Sequence, residues 1–349
     1  MKLVFFGTSL ARESGHHARV LLTLLDGLVD AGHHIVFFET AGDGNHVEGA
    51  VYKVVAPRPW EQTRLVAEAE CETASAIVVT SGFGPGAAGI DWLLDLAVPA
   101  RIYYSLDPWA DLGAFDAEGA APWVRADQVP RFDLVLSLAG GPALEAFKAP
   151  WGAKTVAAAY EAIDPARFYP RAPENDLVSD LALVADRDAI AEGLGETWVL
   201  AAARKLPNHR FLIAGRGWSG DAWPDNVALR DAPDADERAH IYSSARLVLV
   251  APVTGAIEHA LPIELLEPAA CAAACAVLDR PGLKAFFEPG EEILVPETGA
   301  DLVPYLTALG GSRLTTLGNN AEKRVILRYA KLPRSRQVEQ LIAREFFEG

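Results

Sequence analysis

The chain has 349 residues, half of them apolar and 22% charged, with a formal net charge of −16. That length exceeds the usual span of one hydrophobic core, so two globular domains are expected. The acidic balance, with no Lys/Arg-rich run, argues against duplex nucleic acid as a partner.

"KLVFFG" is a short apolar run ending in Gly, as expected of a strand buried in a parallel sheet. After it, Val20, Leu21, Leu24, Leu25, Leu28 and Val29 recur at helical spacing, Gly32 stops the helix, and "HIVFFE" is the next strand. One β-α-β unit results, and its crossover makes the sheet parallel. Further strands are expected at "AIVVTS" (76–81), "RIYYSL" (101–106) and "DLVLSL" (133–138). The Pro- and charge-rich stretch through "RAPENDLVSD" marks a boundary, placing an N-terminal Rossmann-like domain over 1–168.

The alternation then restarts with "LALVAD", "RFLIAG" (210–215), "ARLVLVAP" (245–252) and "CAVLD" (275–279), giving a second Rossmann-like domain over 169–325. Residues 326–349 read as a C-terminal helix able to pack back on the first domain. The fold class is therefore α/β, two doubly wound domains facing a cleft at the carboxyl ends of their strands, where ligands bind in such sheets. Cys71, Cys271 and Cys275 form no disulfide framework. Cys271 and Cys275 fall on one face of the expected helix after residue 263 and read as small packing residues.

No run of about 18 apolar residues is free of charges or breakers, so no membrane insertion is expected. "MKLVFFGTS" is too short for a leader before it turns into a glycine loop, and a cytoplasmic protein is expected. "SGFGPGAAGIDWLL" carries Gly84-x-Gly86-x-x-Gly89 between a strand and a helix, with Asp107 ending the next strand, the pattern of a dinucleotide fingerprint. It falls too late in the domain for the first β-α turn, and Pro85 removes an N–H that a pyrophosphate would use. A glycine-rich packing loop is the alternative to an NAD site.

Several stretches resemble the CgeB-like glycosyltransferases, spore-maturation-type members of the two-Rossmann-domain (GT-B) group. "VPRFDLVLSLAGGPALEAF" resembles iPRfDLylSftGGptL. "IYYSLDPWADL" sits where that family has a strand ending in Asp-x-Asp-Thr-Pro, and "DAWPDNVAL" resembles its WPxNV segment. The most specific match is "LLEPAACAAACAVLDRPGLKAFFEPGEEILV" with LFEAAACGtpiisDxxxGLxxfFxPGxEil. The resemblance implies transfer of a sugar from a nucleotide-activated donor to an unidentified acceptor, which could be a glycan, a protein, a small molecule or a nucleobase. The chain departs from the pattern in three places: Glu264 stands where the family has Arg, Ala251-Pro252 where it commonly has Thr-Arg, and Ala272 where it has Gly.

Such a transfer breaks the bond from an anomeric carbon to a diphosphate, so the leaving anion must be neutralised and the acceptor hydroxyl deprotonated if the reaction inverts. Helix N-termini and basic side chains can supply the first without a metal or other cofactor. Pro262 suits the first turn of the helix after it, and the resemblance assigns Glu267 to the donor's ribose hydroxyls. A carboxylate at a helix start is the plain alternative. Glu264 would face a base edge, solvent or an unusual donor. Arg216, between two glycines after a strand, reaches a phosphate or caps a strand end. Arg187 matches a family Arg in the loop after "LALVA", and Asp186-x-Asp188 beside it is a spacing too common to define a metal site.

In the first domain His17 matches the family's Gly-His-Ala histidine and is a candidate general base. A histidine bonded to backbone at a helix start is the alternative. Asp107 is a second candidate base. Gly140 and Gly141 would let backbone approach a ligand, and Trp92, Trp109 and Trp123 form an acceptor wall or pack individually. Three functions are weighed: a metal-independent glycosyltransferase, a non-catalytic sugar-nucleotide or glycan-binding relative, and an NAD-dependent oxidoreductase.

Overall fold

The computed structural model describes residues 1–10, 15–40, 52–56, 58–118, 123–219, 223–252, 257–261 and 263–347. The chain forms two compact units, Met1–Ala162 together with Lys331–Gly349, and Ile163–Ala330. These divisions fall at 162 and 330, against 168 and 325 read from the sequence.

In the first unit the order is β1 (Lys2–Gly7), α1 (His16–Asp30), β2 (His34–Glu39), β3 (Lys53–Val55), α2 (Trp60–Cys71), β4 (Ala76–Thr80), α3 (Gly86–Asp95), β5 (Ala100–Ser105), α4 (Pro108–Glu118), β6 (Leu134–Ser137), α5 (Pro142–Lys148) and β7 (Val156–Ala158). The seven strands form one parallel sheet in the order β3-β2-β1-β4-β5-β6-β7. The order reverses between β1 and β4, which is where such sheets open a crevice beyond their carboxyl ends. The core strands carry almost no polar residue because both faces are covered. Phe5, Phe6, Phe37 and Phe38 are all buried, and Phe6 stacks on Phe38 at 4.9 Å.

The second unit runs β8 (Leu181–Val184), α6 (Ala201–Lys205), β9 (Phe211–Ala214), β10 (Val227–Arg230), α7 (Ala235–Ser244), β11 (Val248–Val250), α8 (Ile263–Ala270), β12 (Cys275–Val277), α9 (Leu283–Phe286), α10 (Leu302–Thr307) and α11 (Gly311–Arg328). Its parallel sheet has the order β10-β9-β8-β11-β12, reversing between β8 and β11. The nine strands expected from the sequence are present. The short edge strands β3, β7 and β10 were not expected, because three- and four-residue runs carry too little apolar pattern.

The last helix, α12 (Lys331–Phe347), belongs to the first unit. Gly27 lets it approach α1: a Cβ there would lie 2.2 Å from Ser335 Oγ and 2.7 Å from the Lys331 carbonyl oxygen. Ser335 Oγ donates to the Leu24 carbonyl at 3.2 Å, and Lys331 pairs with Asp30 at 3.0 Å.

The Ala/Cys run corrects the sequence reading. The helix does not continue through it: α8 ends at Ala270, and Cys275 opens β12, so Cys271 and Cys275 share no helix face. All three cysteines are buried and free. The helix closes in a Schellman turn, with Ala273 N–H donating to the Pro268 carbonyl and Ala272 N–H to the Ala269 carbonyl, both at 3.0 Å. Ala272 takes φ 55° there, the left-handed conformation that favours the glycine the resembled family has. Replacing Ala272 with Gly is therefore expected to stabilise the protein by about 1 kcal/mol; an unchanged or lower unfolding midpoint in denaturant would contradict this strain.

Candidate functional site

The second unit holds a cavity of about 770 Å³ at the carboxyl ends of β8 and β9, lined among others by Arg187, Asp188, Glu192, Glu196, Arg216 and Trp218. That volume lies within the range of small-ligand sites. Arg187 and Arg216, both singled out from the sequence, thus line one cavity. Arg187 follows β8; its Nη2 donates to Glu196 Oε1 at 2.5 Å, and its guanidinium lies 5.7 Å from the Trp218 ring centre. Arg216 follows β9 and is held by Asp186, whose carboxylate accepts from its backbone N–H at 2.7 Å and from its Nε at 2.9 Å. Asp186 is thereby the carboxylate partner of Arg216. Among the described residues no cluster of three or more His, Cys, Asp or Glu could hold a metal ion.

Gly195 and Glu196, the first two residues of a π-helical turn over Gly195–Leu200, line the cavity. Such turns are rare and recur at functional sites. Gly195 is required there, since a Cβ would lie 2.4 Å from the buried Trp218 ring. The side chain of Arg216 remains 80% exposed, so its pairing with Asp186 is weak and open to exchange for a ligand anion.

Glu267 occupies a different environment from the one expected. Its two oxygens receive a fork from Arg238 of α7, Nε to Oε2 at 2.7 Å and Nη2 to Oε1 at 2.8 Å, and Tyr242 OH donates to Oε2 at 3.3 Å. The carboxylate is only 17% exposed. Three of its roughly four acceptor positions are filled from within the unit. The group ties α7 to α8, and of the contacts the resemblance assigns to a ribose about one acceptor position is left open. Glu264 has Arg280 as its near cation, at 3.9 Å, beyond hydrogen-bond length. The acid that stands where the resembled family has Arg thus shares its place with a guanidinium carried by the loop after β12. Pro262 lies outside the described residues.

In the first unit the groups of interest collect after β1, β5 and β7. Gly15 takes φ 91° and starts α1, so His16 and His17 form its first turn. Burial pushes both imidazoles below their ordinary 6.5, His16 to about 4, with Asp107 opposing the shift in each. His17 is therefore neutral at pH 7 and able to accept a proton. His16 Nδ1 lies 4.0 Å from the buried Glu161, and among the described residues its Nε2 has no hydrogen-bond partner. Asp107 directly precedes α4, and its Oδ1 accepts from Ala110 N–H at 3.3 Å in N-cap fashion. It thus serves the helix while lying near both histidines. Gly140 does not open the backbone to a ligand: a Cβ there would lie 2.1 Å from Tyr160 OH. Gly141 takes φ 54° ahead of Pro142 and turns the chain into α5.

The dinucleotide fingerprint dissolves into packing. A Cβ on Gly84 would lie 2.7 Å from the Thr40 carbonyl oxygen, and one on Gly89 would meet Pro85 and Phe83 within 2.7 Å. Trp92 packs edge-on to Trp60 at 5.6 Å, with the Arg64 guanidinium 5.0 Å from its ring centre.

Asp111 was not singled out from the sequence. It is fully buried in α4, and its carboxylate accepts from Ser105 Oγ at 2.5 Å, Tyr103 OH at 2.8 Å, Ser81 Oγ at 3.2 Å and Trp123 Nε1 at 3.0 Å. Trp123 therefore directs its N–H into this cage. The only sequence signal was an acid four residues after Asp107 at a helix start, and that spacing says nothing about burial.

The α/β architecture with two parallel-sheet Rossmann-like units is that of the GT-B glycosyltransferases. The sucrose-phosphate synthase of Thermosynechococcus elongatus superposes with a TM-score of 0.69 over 100% of both chains at 15% identity. HepE of Anabaena, solved in complex with UDP-glucose, gives 0.63 over 98% of this chain and 99% of its own at 12% identity. An alpha-glucosyltransferase in complex with UDP gives 0.61 over the same shares at 12% identity. Residues 192–340 match the model of a glycosyl transferase-like family. No curated protein matches the sequence significantly.

Burial pushes the Asp111 carboxyl up to about 6, against the lowering effect of its hydroxyl donors. The folded state thus holds this proton more tightly than the unfolded chain. The associated stability is present at acid pH and lost as pH rises through 6. From pH 7 to pH 5 the protein is expected to gain about 1 kcal/mol relative to Asp111→Asn; parallel pH profiles in denaturant titrations would contradict the shift.

Proposed function

We propose that the protein transfers a sugar from a nucleoside diphosphate donor to an acceptor hydroxyl, as a CgeB-like member of the GT-B group and without a metal. The observation that carries this reading is the cavity beside β8 and β9, where two arginines approach one space in a unit whose sequence matches a glycosyl transferase-like model. Arg187 and Arg216 would exchange their carboxylate partners for the donor's phosphates. The charge growing on the leaving group then meets fixed guanidinium donors, which bind it more strongly than the neutral ester oxygen.

In the first unit His17 would take the acceptor's proton. Its depressed pKa keeps the imidazole unprotonated at neutral pH, and Asp107 stabilises the imidazolium that forms. Complexes of UDP-glucose with HepE and of UDP with the alpha-glucosyltransferase support a uridine diphosphate donor as the first to test.

A second reading has its own support. Both cavity arginines already have carboxylate partners, and Glu264 and Ala251-Pro252 replace cationic positions of the resembled family. A relative that binds a sugar nucleotide without turning it over would look the same.

Calorimetry against UDP, GDP, dTDP and NAD, followed by donor hydrolysis, separates these readings. A nucleoside diphosphate is expected to bind and its sugar ester to hydrolyse slowly. Binding without turnover favours the second reading, and binding of NAD alone overturns both. Arg187→Ala and Arg216→Ala should each weaken nucleotide binding by about tenfold or more, as expected for a charged hydrogen bond. His17→Ala should slow transfer by about 100-fold or more with donor affinity unchanged. Its wild-type acid limb should lie below pH 6.5, since burial lowers the imidazole's pKa.

A further inference from the structure

Asp107 lies between two anchors, one leading to a buried carboxylate and the other a main-chain bond of the helix start. On its N-terminal side, the Leu106 N–H donates to Ser81 Oγ at 2.9 Å, and the same hydroxyl donates to Asp111 Oδ2 at 3.2 Å. On its C-terminal side, the Asp111 N–H donates to the Asp107 carbonyl at 3.0 Å, closing the first turn of α4. Ser105, two residues before Asp107, donates to the same Oδ2 at 2.5 Å. Residues 105 and 106 are thus tied to the Asp111 side chain, directly or through Ser81, while the main chain of residue 111 holds the Asp107 carbonyl, so Asp107 has little freedom to move independently. Tyr103 and Trp123 complete the cage from β5 and from the segment after α4.

The chemistry of the cage sets its direction. Two serine hydroxyls, a phenol and an indole can each give a hydrogen, and a carboxylate only accepts. An amide of the same shape would bring its own N–H groups against these donors. Such a carboxylate orders several main-chain segments at once, which a surface cap cannot do.

We propose that Asp111 is a positioning residue: it fixes the turn that carries Asp107, and thereby holds the Asp107 carboxylate near the His16–His17 pair. Its effect on any reaction passes through Asp107. The proposal rests on the reading that His17 and Asp107 act together, but its test needs no donor and no acceptor.

The readout is the titration midpoint of His17, followed by NMR of the full chain labelled at histidine carbons, with the resonance identified from His17→Gln. Among the described residues the charged groups around the two imidazoles are Arg19 of α1, Asp107 and Glu161, with each imidazole facing the other. Asp107 raises the His17 midpoint, so Asp107→Asn should lower it by about half a pH unit or more. Asp111→Asn, with Asp107 intact, should lower it in the same direction. Ser81→Ala, a smaller change that cuts one of the two anchors, should produce part of that fall and decides the matter if Asp111→Asn does not fold. A wild-type His17 midpoint in either folded variant, even with a reduced unfolding temperature, makes Asp111 a structural carboxylate and overturns the proposal. An unmoved midpoint in Asp107→Asn overturns it as well. Sugar transfer can be absent while these shifts occur, so failure of the transferase reading and failure of this one are told apart.

Discussion

Every strand in both sheets runs parallel to its neighbours, and a strand covered on both faces can offer polar chemistry only at its ends. That constraint organises the molecule. The apolar runs of β1, β2 and β4 leave little room for a functional side chain within the sheet, so the reactive groups gather where the strands stop. In the first unit the histidines follow β1, Asp107 follows β5 and Glu161 follows β7. In the second, Arg187 follows β8, Arg216 follows β9 and Arg280 follows β12. Apart from the histidines, which open the helix after β1, each sits within a few residues of a strand's carboxyl end, and β1 and β8 flank the points where the strand order reverses.

A second regularity concerns charge. In a chain of net charge −16, the guanidiniums near the sites rarely stand alone. Glu196 engages Arg187, Asp186 engages Arg216, Glu267 engages Arg238, and Glu264 lies beside Arg280. These pairs differ in cost of separation. The Arg238–Glu267 fork is mostly withdrawn from water and holds two helices, so opening it would leave a charge unpaired inside the unit. Arg216 is nearly free in solvent and can change partners cheaply. Exposure, more than the count of arginines, therefore decides which cations remain available to an incoming anion.

The strands were legible because buried parallel strands leave an unmistakable apolar signature, and the helices because their period differs from it. The two cavity arginines were singled out by different signals, Arg216 by its place between glycines after a strand and Arg187 by the resemblance, and the structure puts both on one cavity. Glu267 was given a ribose role by the resemblance alone, and nothing in its neighbouring sequence pointed to Arg238, a partner 29 residues away on another helix. Asp111 was missed for a related reason: its environment is assembled from β4, β5 and the segment at Trp123, which no local spacing reveals. Gly140 misled because a glycine that receives a tyrosine hydroxyl looks, in one dimension, like a glycine that receives a ligand. Periodicity survives translation into sequence; long-range pairing of polar groups does not.

The return of α12 to the first unit has a consequence for how the protein is made. The chain leaves the first unit after Ala162 and comes back at Lys331, and the two crossing points run side by side, joined by a hydrogen bond from Ile163 N–H to the Tyr329 carbonyl at 2.9 Å. The second unit is thus an insertion, complete in itself before the final helix emerges from the ribosome. Until then the strip of α1 around Gly27 and Leu24 lacks its cover. The half of the protein that is translated first is the half that finishes folding last, and a nascent chain halted before residue 331 would display a bare apolar seam to whatever chaperone attends it.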